Sequence, residues 1–331
     1  MRNFFARLME YKQRNEELAI PPSADDDIAP KLKQSRRWKV MDSTFQWKMS
    51  LAIFLCLTMF IATPIPSSAA ALDGTEVFFS NEKEVRVPVI MYHLVIENKR
   101  YHGRDGISPA ELKNDLEYLK NNGYNTIVIQ DLIDFVDRGK SLPKNPIVLT
   151  FDDGNSSDYK YLFPLLKEYE MKAVISIMGN VTDKITSQYD KNPKEKYPNL
   201  TWAQVQEMHE SGMVEVQSHG YDVHGKAGSG KQKRESDAAY HQRLKADLQK
   251  LQDLCQQHLG AEPTTFCYPY GIISKGSHAV LEEMGFAASL SCQEGINIIK
   301  QGDKACLLKL NRVNRASGRA VSGILEGLEK K

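Results

Sequence analysis

Residues 147–154 read Ile-Val-Leu-Thr-Phe-Asp-Asp-Gly, an apolar run that ends in two adjacent carboxylates and a glycine. The apolar run is typical of a buried strand, and the glycine is typical of the turn that follows one. Like charges at this spacing resist joint ionisation, so a chain tolerates Asp152 beside Asp153 where a cation or a reaction uses them. An isolated Asp-Asp-Gly is usually an ordinary turn, so the surrounding sequence decides what this one means.

Strand-like and helical patterns alternate around this stretch, from Val85 to the C-terminus. Repeated strand-then-helix units with short glycine turns predict a parallel sheet covered by helices, and their number favours a barrel over an open sheet. Residues 183–199 and 226–234 have the composition of exposed loops. The predicted strands are 85–92, 124–129, 147–151, 173–178, 213–217, 264–267 and 286–289, and the predicted helices begin after the caps Ser108 and Thr201 and cover 161–169 and 278–284.

Polar or aromatic side chains directly follow four of these strands. Functional groups of parallel α/β folds lie at the carboxyl ends of strands, so the four sets should converge on one face. Each set alone is a weak signal, because a single histidine is more often a core residue. The four sets are His93 after 85–92, Asp152 and Asp153 after 147–151, His219 after 213–217, and Tyr268-Pro269-Tyr270-Gly271 after 264–267.

The segment 218–224, Ser-His-Gly-Tyr-Asp-Val-His, adds a second imidazole, His224. One carboxylate and two histidines suit a divalent catalytic cation that keeps positions open for water and substrate. The other carboxylate can then take the proton of the metal-bound water. The sequence therefore predicts a hydrolytic site with one divalent ion, Zn²⁺ first, with Co²⁺ or Ni²⁺ as alternatives because the same ligands suit all three.

The N-terminal part of the chain has the pattern of an export segment. The apolar core, residues 51–62, is shorter than the ~20 residues that span a bilayer, and Ala69-Ala70-Ala71 offers a cleavage site. Either translation starts near Met41 and the signal is removed, or residues 49–63 remain as an anchor with the basic leader inside. Both alternatives place the rest of the chain outside the cell or in its envelope. The predicted organisation is a polar, disordered or cytoplasmic leader at 1–48, a signal peptide or membrane anchor at 49–71, a linker at 72–84 and a catalytic domain at 85–331.

The net charge and the spacing of the cysteines argue against two classes of protein, nucleic-acid-binding proteins and zinc ribbons. The formal net charge is +1, which gives no electrostatic reason to expect nucleic acid as a partner. The chain has no Cys-x-x-Cys pair, so a zinc ribbon is unsupported. Three pairings remain open for the four exported cysteines, which are Cys255, Cys267, Cys292 and Cys306.

With these residues in hand, the chain from about Val85 onward resembles the NodB-homology polysaccharide deacetylases, carbohydrate esterase family 4. Residues 150–154 match the first motif of that family, 218–224 its histidine motif and 266–271 its aromatic-proline motif, in the family's order. The five-residue spacing of the histidines and the segment Met91-Tyr92-His93 are similar to the exported branch that includes poly-N-acetylglucosamine deacetylases.

The resemblance implies an α/β fold, a distorted (β/α) barrel related to the TIM barrel. It also implies that the main-chain N–H of Tyr270 helps to hold the tetrahedral oxyanion. Asp152 is implied as the general base, and Asp153, His219 and His224 as the metal ligands. Further substrate contacts are predicted for Tyr268, Pro269, Tyr221 and Arg312.

Two family residues are replaced. Cys267 stands where the family has the arginine that orients the base, and Arg312 stands where its general-acid histidine is expected. His93 and a metal-bound water are the candidate proton donors, and a weaker reliance on acid catalysis is the third alternative. A missing acid should slow the departure of an amine more than that of an alcohol, because the amine is the poorer leaving group.

The function that these residues predict is an exported, metal-dependent N-deacetylase. Its substrates would be N-acetylglucosamine-type glycans of the envelope or matrix, such as peptidoglycan, chitin-like polymers or poly-N-acetylglucosamine. One alternative is an O-acetyl esterase on xylan-type glycans, and another is an inactive glycan-binding module tethered to the envelope. The predicted partners are an acetylated polysaccharide and, if residues 49–63 stay uncleaved, the membrane, with no nucleic acid and a monomeric chain.

Overall fold

The computed structural model describes residues 82–192, 198–225 and 228–330. The predicted leader, the signal or anchor segment and nearly all of the linker fall within 1–81, outside the described residues. Within the three described ranges, no helix combines the length and the apolarity that crossing a bilayer requires.

In the described part of the chain, eight strands form one curled parallel sheet. The order of adjacent strands across this sheet is β10-β9-β8-β7-β6-β2-β12, and the eighth strand, β5, pairs with the beginning of β6. Two small sheets flank it, one joining β1 to β11 antiparallel and one joining β3 to β4. The strands are β1 (Glu84–Val87), β2 (Val89–Tyr92), β3 (Leu94–Val95), β4 (Gly106–Ile107), β5 (Asn125–Ile127), β6 (Pro146–Asp153), β7 (Ala173–Ile177), β8 (Val214–Ser218), β9 (Thr265–Cys267), β10 (Ala288–Leu290), β11 (Asn297–Lys300) and β12 (Val313–Asn314).

The two edges of the large sheet meet through the segment that leads into β12. The Leu310 N–H donates to the Ser289 carbonyl at 2.8 Å, and the Ser291 N–H donates to the Leu310 carbonyl at 3.0 Å. Leu290 and Leu310 form a parallel bridge between these bonds. The sheet therefore closes on itself irregularly, and the prediction of a distorted (β/α) barrel is confirmed.

Helices cover the outside of the sheet. The capping box predicted for the first helix is present, because the Ser108 hydroxyl accepts the Glu111 N–H while the Glu111 carboxylate accepts the Ser108 N–H. Leu112, Leu116 and Leu119 of this helix are fully buried, and each contributes roughly 1.5–3 kcal/mol of hydrophobic free energy. The helices are α1 (Pro109–Asn121), α2 (Ile129–Arg138), α3 (Phe163–Tyr169), α4 (Gly179–Lys191), α5 (Trp202–Glu210), α6 (Asp237–Leu259), α7 (Ser277–Glu283) and α8 (Val321–Glu329).

Two predicted segments differ from the structure. Pro88 divides the predicted strand 85–92 into β1 and β2, because a proline has no N–H to donate to a neighbouring strand. Most of the predicted loop 183–199 is helical, since α4 continues to Lys191. The buried residues of α4 are Gly179, Thr182 and Ile185, so its apolar face is too small to recognise from sequence.

Candidate active site

The ends of three strands and a turn after a fourth bring the predicted side chains together. His93 follows β2, Asp152 and Asp153 end β6, His219 follows β8, and Tyr270 lies in the short turn after β9. All five line one cavity of about 500 Å³. Because the strands are parallel, their carboxyl ends open on the same face of the sheet, and the predicted convergence is observed.

The turn at the end of β6 holds its two carboxylates in a strained backbone conformation. Asp153 has φ +77° and Gly154 has φ +63°, and the left-handed region costs a non-glycine residue about 1 kcal/mol or more. A Cβ on Gly154 would lie 3.1 Å from Ile177 Cγ2, so glycine is required there for space as well. Asn199 Nδ2 donates to the carbonyls of Asp153 and Gly154 at 3.1 and 3.2 Å and fixes the turn.

His219 is oriented by two main-chain contacts. Its N–H donates to the Ile177 carbonyl at 3.0 Å, and its Nδ1 lies 2.8 Å from the Cys267 carbonyl. A carbonyl only accepts, so Nδ1 carries the proton and Nε2 keeps a lone pair, 3.6 Å from Asp153 Oδ1. Burial lowers the pKa of His219 to about 4, which keeps the ring in the neutral form that binds metals.

His224 is presented by a loop that the long helix α6 fixes. Asp247 of α6 accepts the main-chain N–H groups of Tyr221 and Asp222, both at 2.7 Å. His224 Nε2 then lies 3.3 Å from Asp153 Oδ1. The second histidine therefore depends on a tertiary contact and not on helical spacing.

Asp153, His219 and His224 fit a divalent cation. Their ligand atoms all lie within 4.8 Å of one another. Bonds of 2.0–2.1 Å in a tetrahedral site place neighbouring ligand atoms about 3.4 Å apart, close to the observed carboxylate–imidazole distances of 3.3 and 3.6 Å. Asp153 Oδ1 is buried and accepts no hydrogen bond from the described residues, so it is available as a ligand.

Arg312, which directly precedes the edge strand β12, binds the carboxylate of Asp152. Its Nη1 lies 2.8 Å from Asp152 Oδ1 and its Nη2 lies 2.9 Å from Oδ2, and both side chains are buried. Burial raises the pKa of Asp152, but the charge and hydrogen bonds of Arg312, together with the neighbouring His219 and His93, outweigh it and the pKa falls to about 2. The bidentate pair thus keeps Asp152 ionised and in one orientation. The arginine that Cys267 replaces in the family motif is supplied here by Arg312.

Cys267 contacts the same carboxylate, with Sγ 3.4 Å from Asp152 Oδ1. Burial raises the pKa of this thiol well above its usual value, so it remains protonated and donates. Asp152, His219 and Cys267 also lie close enough to share an ion, but a cation there would meet the buried guanidinium of Arg312. The group formed by Asp153, His219 and His224 is therefore the better cation site. All four cysteines of the described residues are free thiols.

His93 lies beside the base. Its Nε2 is 3.9 Å from Asp152 Oδ2, and its side chain is 18% exposed. Asn155 Nδ2 donates to the His93 carbonyl at 3.3 Å, which ties this residue to the turn after β6. An imidazole and a carboxylate therefore face the same small volume, as general acid–base chemistry requires.

Comparison with known proteins agrees with this geometry. The sequence model of the family described as "Polysaccharide deacetylase" matches residues 139–289, which contain Asp152, Asp153, His219 and His224. Residues 139–289 form a polysaccharide deacetylase domain.

Relatives of this domain are found among curated proteins and solved structures. The Escherichia coli K12 poly-beta-1,6-N-acetyl-D-glucosamine N-deacetylase is 26% identical over 217 residues, 60% of this chain and 32% of the relative. This chain thus spans about a third of the length of that relative. The enzyme of the same name from Staphylococcus aureus MSSA476 is 23% identical over 220 residues, 66% of each chain. A solved de-N-acetylase from Aggregatibacter actinomycetemcomitans aligns at 29% identity and TM-score 0.62, over 73% of this chain and 99% of that chain.

The four residues predicted as further substrate contacts lie outside the lining of this cavity. Arg312 is 0% exposed and engaged with Asp152, and Tyr268 is 1% exposed with its hydroxyl on Ser277. Pro269 is buried as well, and the Tyr221 hydroxyl is directed to Asp183 at 3.2 Å. The four residues that the structure places outside the cavity lining are Tyr268, Pro269, Tyr221 and Arg312.

The outer wall of the cavity comes instead from residues 100–106, which no sequence motif marked. This loop is held by hydrogen bonds from the Gly103 N–H to the Gly106 carbonyl at 2.9 Å and from the Ser317 N–H to the Gly103 carbonyl at 2.8 Å. A Cβ on Gly106 would lie 2.1 Å from the Tyr101 carbonyl oxygen, so only glycine fits the turn. An irregular, well-anchored loop of this kind carries no periodicity from which its position could be predicted.

Proposed function

We propose that this protein is a metal-dependent N-deacetylase of N-acetylglucosamine-type glycans of the cell envelope or matrix. The observation that carries the proposal is the cavity in which Asp153, His219 and His224 fit one divalent cation while Asp152 lies beside them. The names of the E. coli and S. aureus relatives support an N-acetylated glucosamine polymer as the substrate class.

Asp153, His219 and His224 would hold the cation. A divalent ion in that position polarises the acetyl carbonyl and lowers the pKa of a bound water. Asp152 accepts the proton of the attacking water, because its pairing with Arg312 keeps it ionised at neutral pH. The rigidity of that pair holds the accepting oxygens in place throughout the reaction.

His93 is proposed to give a proton to the departing amine. It lies on the cavity wall next to Asp152, so it can reach the leaving nitrogen of an amide whose carbonyl carbon is attacked by the water that Asp152 activates. We also propose that the main-chain N–H of Tyr270 donates to the developing oxyanion, since the turn that carries it borders the cavity.

Chelation is expected to abolish most of the activity. Purified protein incubated with N-acetylglucosamine oligosaccharides should release acetate, and the rate should fall by more than about tenfold after dialysis against a chelator, because metal polarisation contributes several kcal/mol. Added Zn²⁺ or Co²⁺ should restore the rate. Equal rates before and after chelation would remove the cation from the mechanism. Retention on insoluble glycan without acetate release would favour a binding module.

Replacing His93 with glutamine should slow amide cleavage more than ester cleavage. An amine leaves only when protonated, whereas an alkoxide is the better leaving group, so loss of the acid should cost about 10²-fold on the N-acetyl sugar and much less on its O-acetyl counterpart. The measurement is acetate release from N-acetyl and O-acetyl forms of one sugar. Equal losses on both substrates would exclude His93 as the proton donor. A wild-type preference for the O-acetyl form would favour an esterase.

We further propose that the domain is exported. This rests on the short apolar core 51–62 and the Ala-x-Ala site at 69–71. Mass spectrometry of the N-terminus of the native protein tests it. A mature chain that begins after Ala71 supports cleavage, an intact leader in the membrane fraction supports an anchor, and an intact leader in the soluble cytoplasmic fraction contradicts export.

A further inference from the structure

Tyr270 contacts one of the candidate metal ligands through its side chain. Its hydroxyl oxygen lies 3.1 Å from His224 Nδ1, and the two rings are 4.5 Å apart at 45°. The other ring nitrogen of His224, Nε2, is the one that lies 3.3 Å from Asp153 Oδ1. Tyr270 is therefore bound to the nitrogen of His224 that faces away from the cation position.

This contact is compatible with a proton on Nδ1 of His224. A neutral imidazole that binds a metal through Nε2 has its proton on Nδ1, where it donates to an acceptor. The Tyr270 oxygen is in position to accept it, as the Cys267 carbonyl does for His219. The two histidines differ in this respect, since one is fixed by the main chain and the other by a side chain that can be changed.

The backbone around Tyr270 is held in an uncommon conformation. Tyr270 has φ +57° and Gly271 has φ +66°. A Cβ on Gly271 would lie 2.8 Å from Cys292 Cβ, so the turn is packed closely against the next strand end. A left-handed tyrosine costs about 1 kcal/mol or more, and such strain is usually found where a side chain has a function.

We propose that the Tyr270 hydroxyl is a positioning group that fixes the tautomer and orientation of His224 and thereby sets the affinity of the site for divalent cations. This role is separate from that of the Tyr270 main-chain N–H. It rests on the cation site proposed above, and it predicts an effect on binding of the metal alone, with no substrate present.

Tyr270→Phe tests it, because phenylalanine keeps the ring and removes only the oxygen. The Zn²⁺ dissociation constant of the metal-free, full-length protein is measured by competition with a chromophoric chelator. Loss of such an outer contact should weaken Zn²⁺ binding by about 10–100-fold. Tyr221→Phe is the matched control, since that hydroxyl belongs to the same histidine loop but donates to Asp183, and its affinity should match the wild type.

A second experiment tests whether the Tyr270 hydroxyl acts on Zn²⁺ binding through His224 or through a general loss of order in the site. In a His224→Ala background, where binding is weak and is followed at millimolar Zn²⁺, Tyr270→Phe should cause no further loss. A Tyr270→Phe protein that binds Zn²⁺ as the wild type does would overturn the proposal, as would an equal loss in Tyr221→Phe or an additional loss in the His224→Ala background. If the wild type itself binds no Zn²⁺, the proposed function fails instead.

Discussion

Replacing Asp152 with asparagine should lower the rate of acetate release by about 10³-fold while leaving divalent cation binding intact, because a general base contributes roughly 10²–10⁴-fold to such reactions. Asparagine has nearly the same shape but cannot accept the proton of the attacking water. The proposed cation ligands Asp153, His219 and His224 are unchanged in this variant. The measurements are steady-state acetate release and Zn²⁺ content of the same preparation.

Asp153→Asn provides the contrast for this experiment. Its Oδ1 is the oxygen that lies 3.3 and 3.6 Å from the two imidazole nitrogens, so this variant should lose both the cation and the activity. Asp152→Asn also leaves the buried Arg312 without a counter-charge, so rates must be expressed per folded, metal-loaded molecule. Full turnover by Asp152→Asn would refute the assignment of the base, and loss of Zn²⁺ from it would place Asp152 among the ligands.

The parts of the site that sequence predicts are those fixed by strand ends. Asp152, Asp153 and His219 each lie at or directly after the end of a strand, and the parallel sheet brings such positions together whatever the loops do. His224 does not follow a strand directly, and its position depends on Asp247, a residue of α6 that contacts the histidine loop. No local pattern marks a contact of this kind.

The base-orienting arginine could not be located from sequence for a similar reason. The family motif places it next to the aromatic-proline segment, where this chain has Cys267. In this structure Asp152 is bound by Arg312, which directly precedes β12 and lies 160 positions away in the sequence. Only the pairing of β12 with β2, and of β2 with β6, brings the two together. A buried guanidinium thus binds Asp152 although the linear motif is interrupted.

The ion pair between Arg312 and Asp152 predicts the largest effect on stability. Arg312→Met should lower the free energy of unfolding by about 3–5 kcal/mol, since it leaves the fully buried Asp152 carboxylate without its counter-charge. The double variant Arg312→Met with Asp152→Asn should be less destabilised than the sum of the two single variants, because it removes both buried charges. Urea unfolding of the four proteins measures this coupling, and additive effects would contradict it.

Arg315 supplies the control that separates stability from catalysis. It forms a second buried ion pair, with Nε 2.6 Å from Asp115 Oδ2. Arg315 directly follows β12, whereas Arg312 directly precedes it, and Arg315 lies outside the cavity lining. Arg315→Met should therefore cost a similar free energy of unfolding while the folded protein retains wild-type turnover. Arg312→Met should lose both, because the unpaired Asp152 is protonated more readily and no longer held in one orientation. Comparable turnover in the two variants, each measured under conditions where it is fully folded, would show that Arg312 contributes to the fold and not to the reaction.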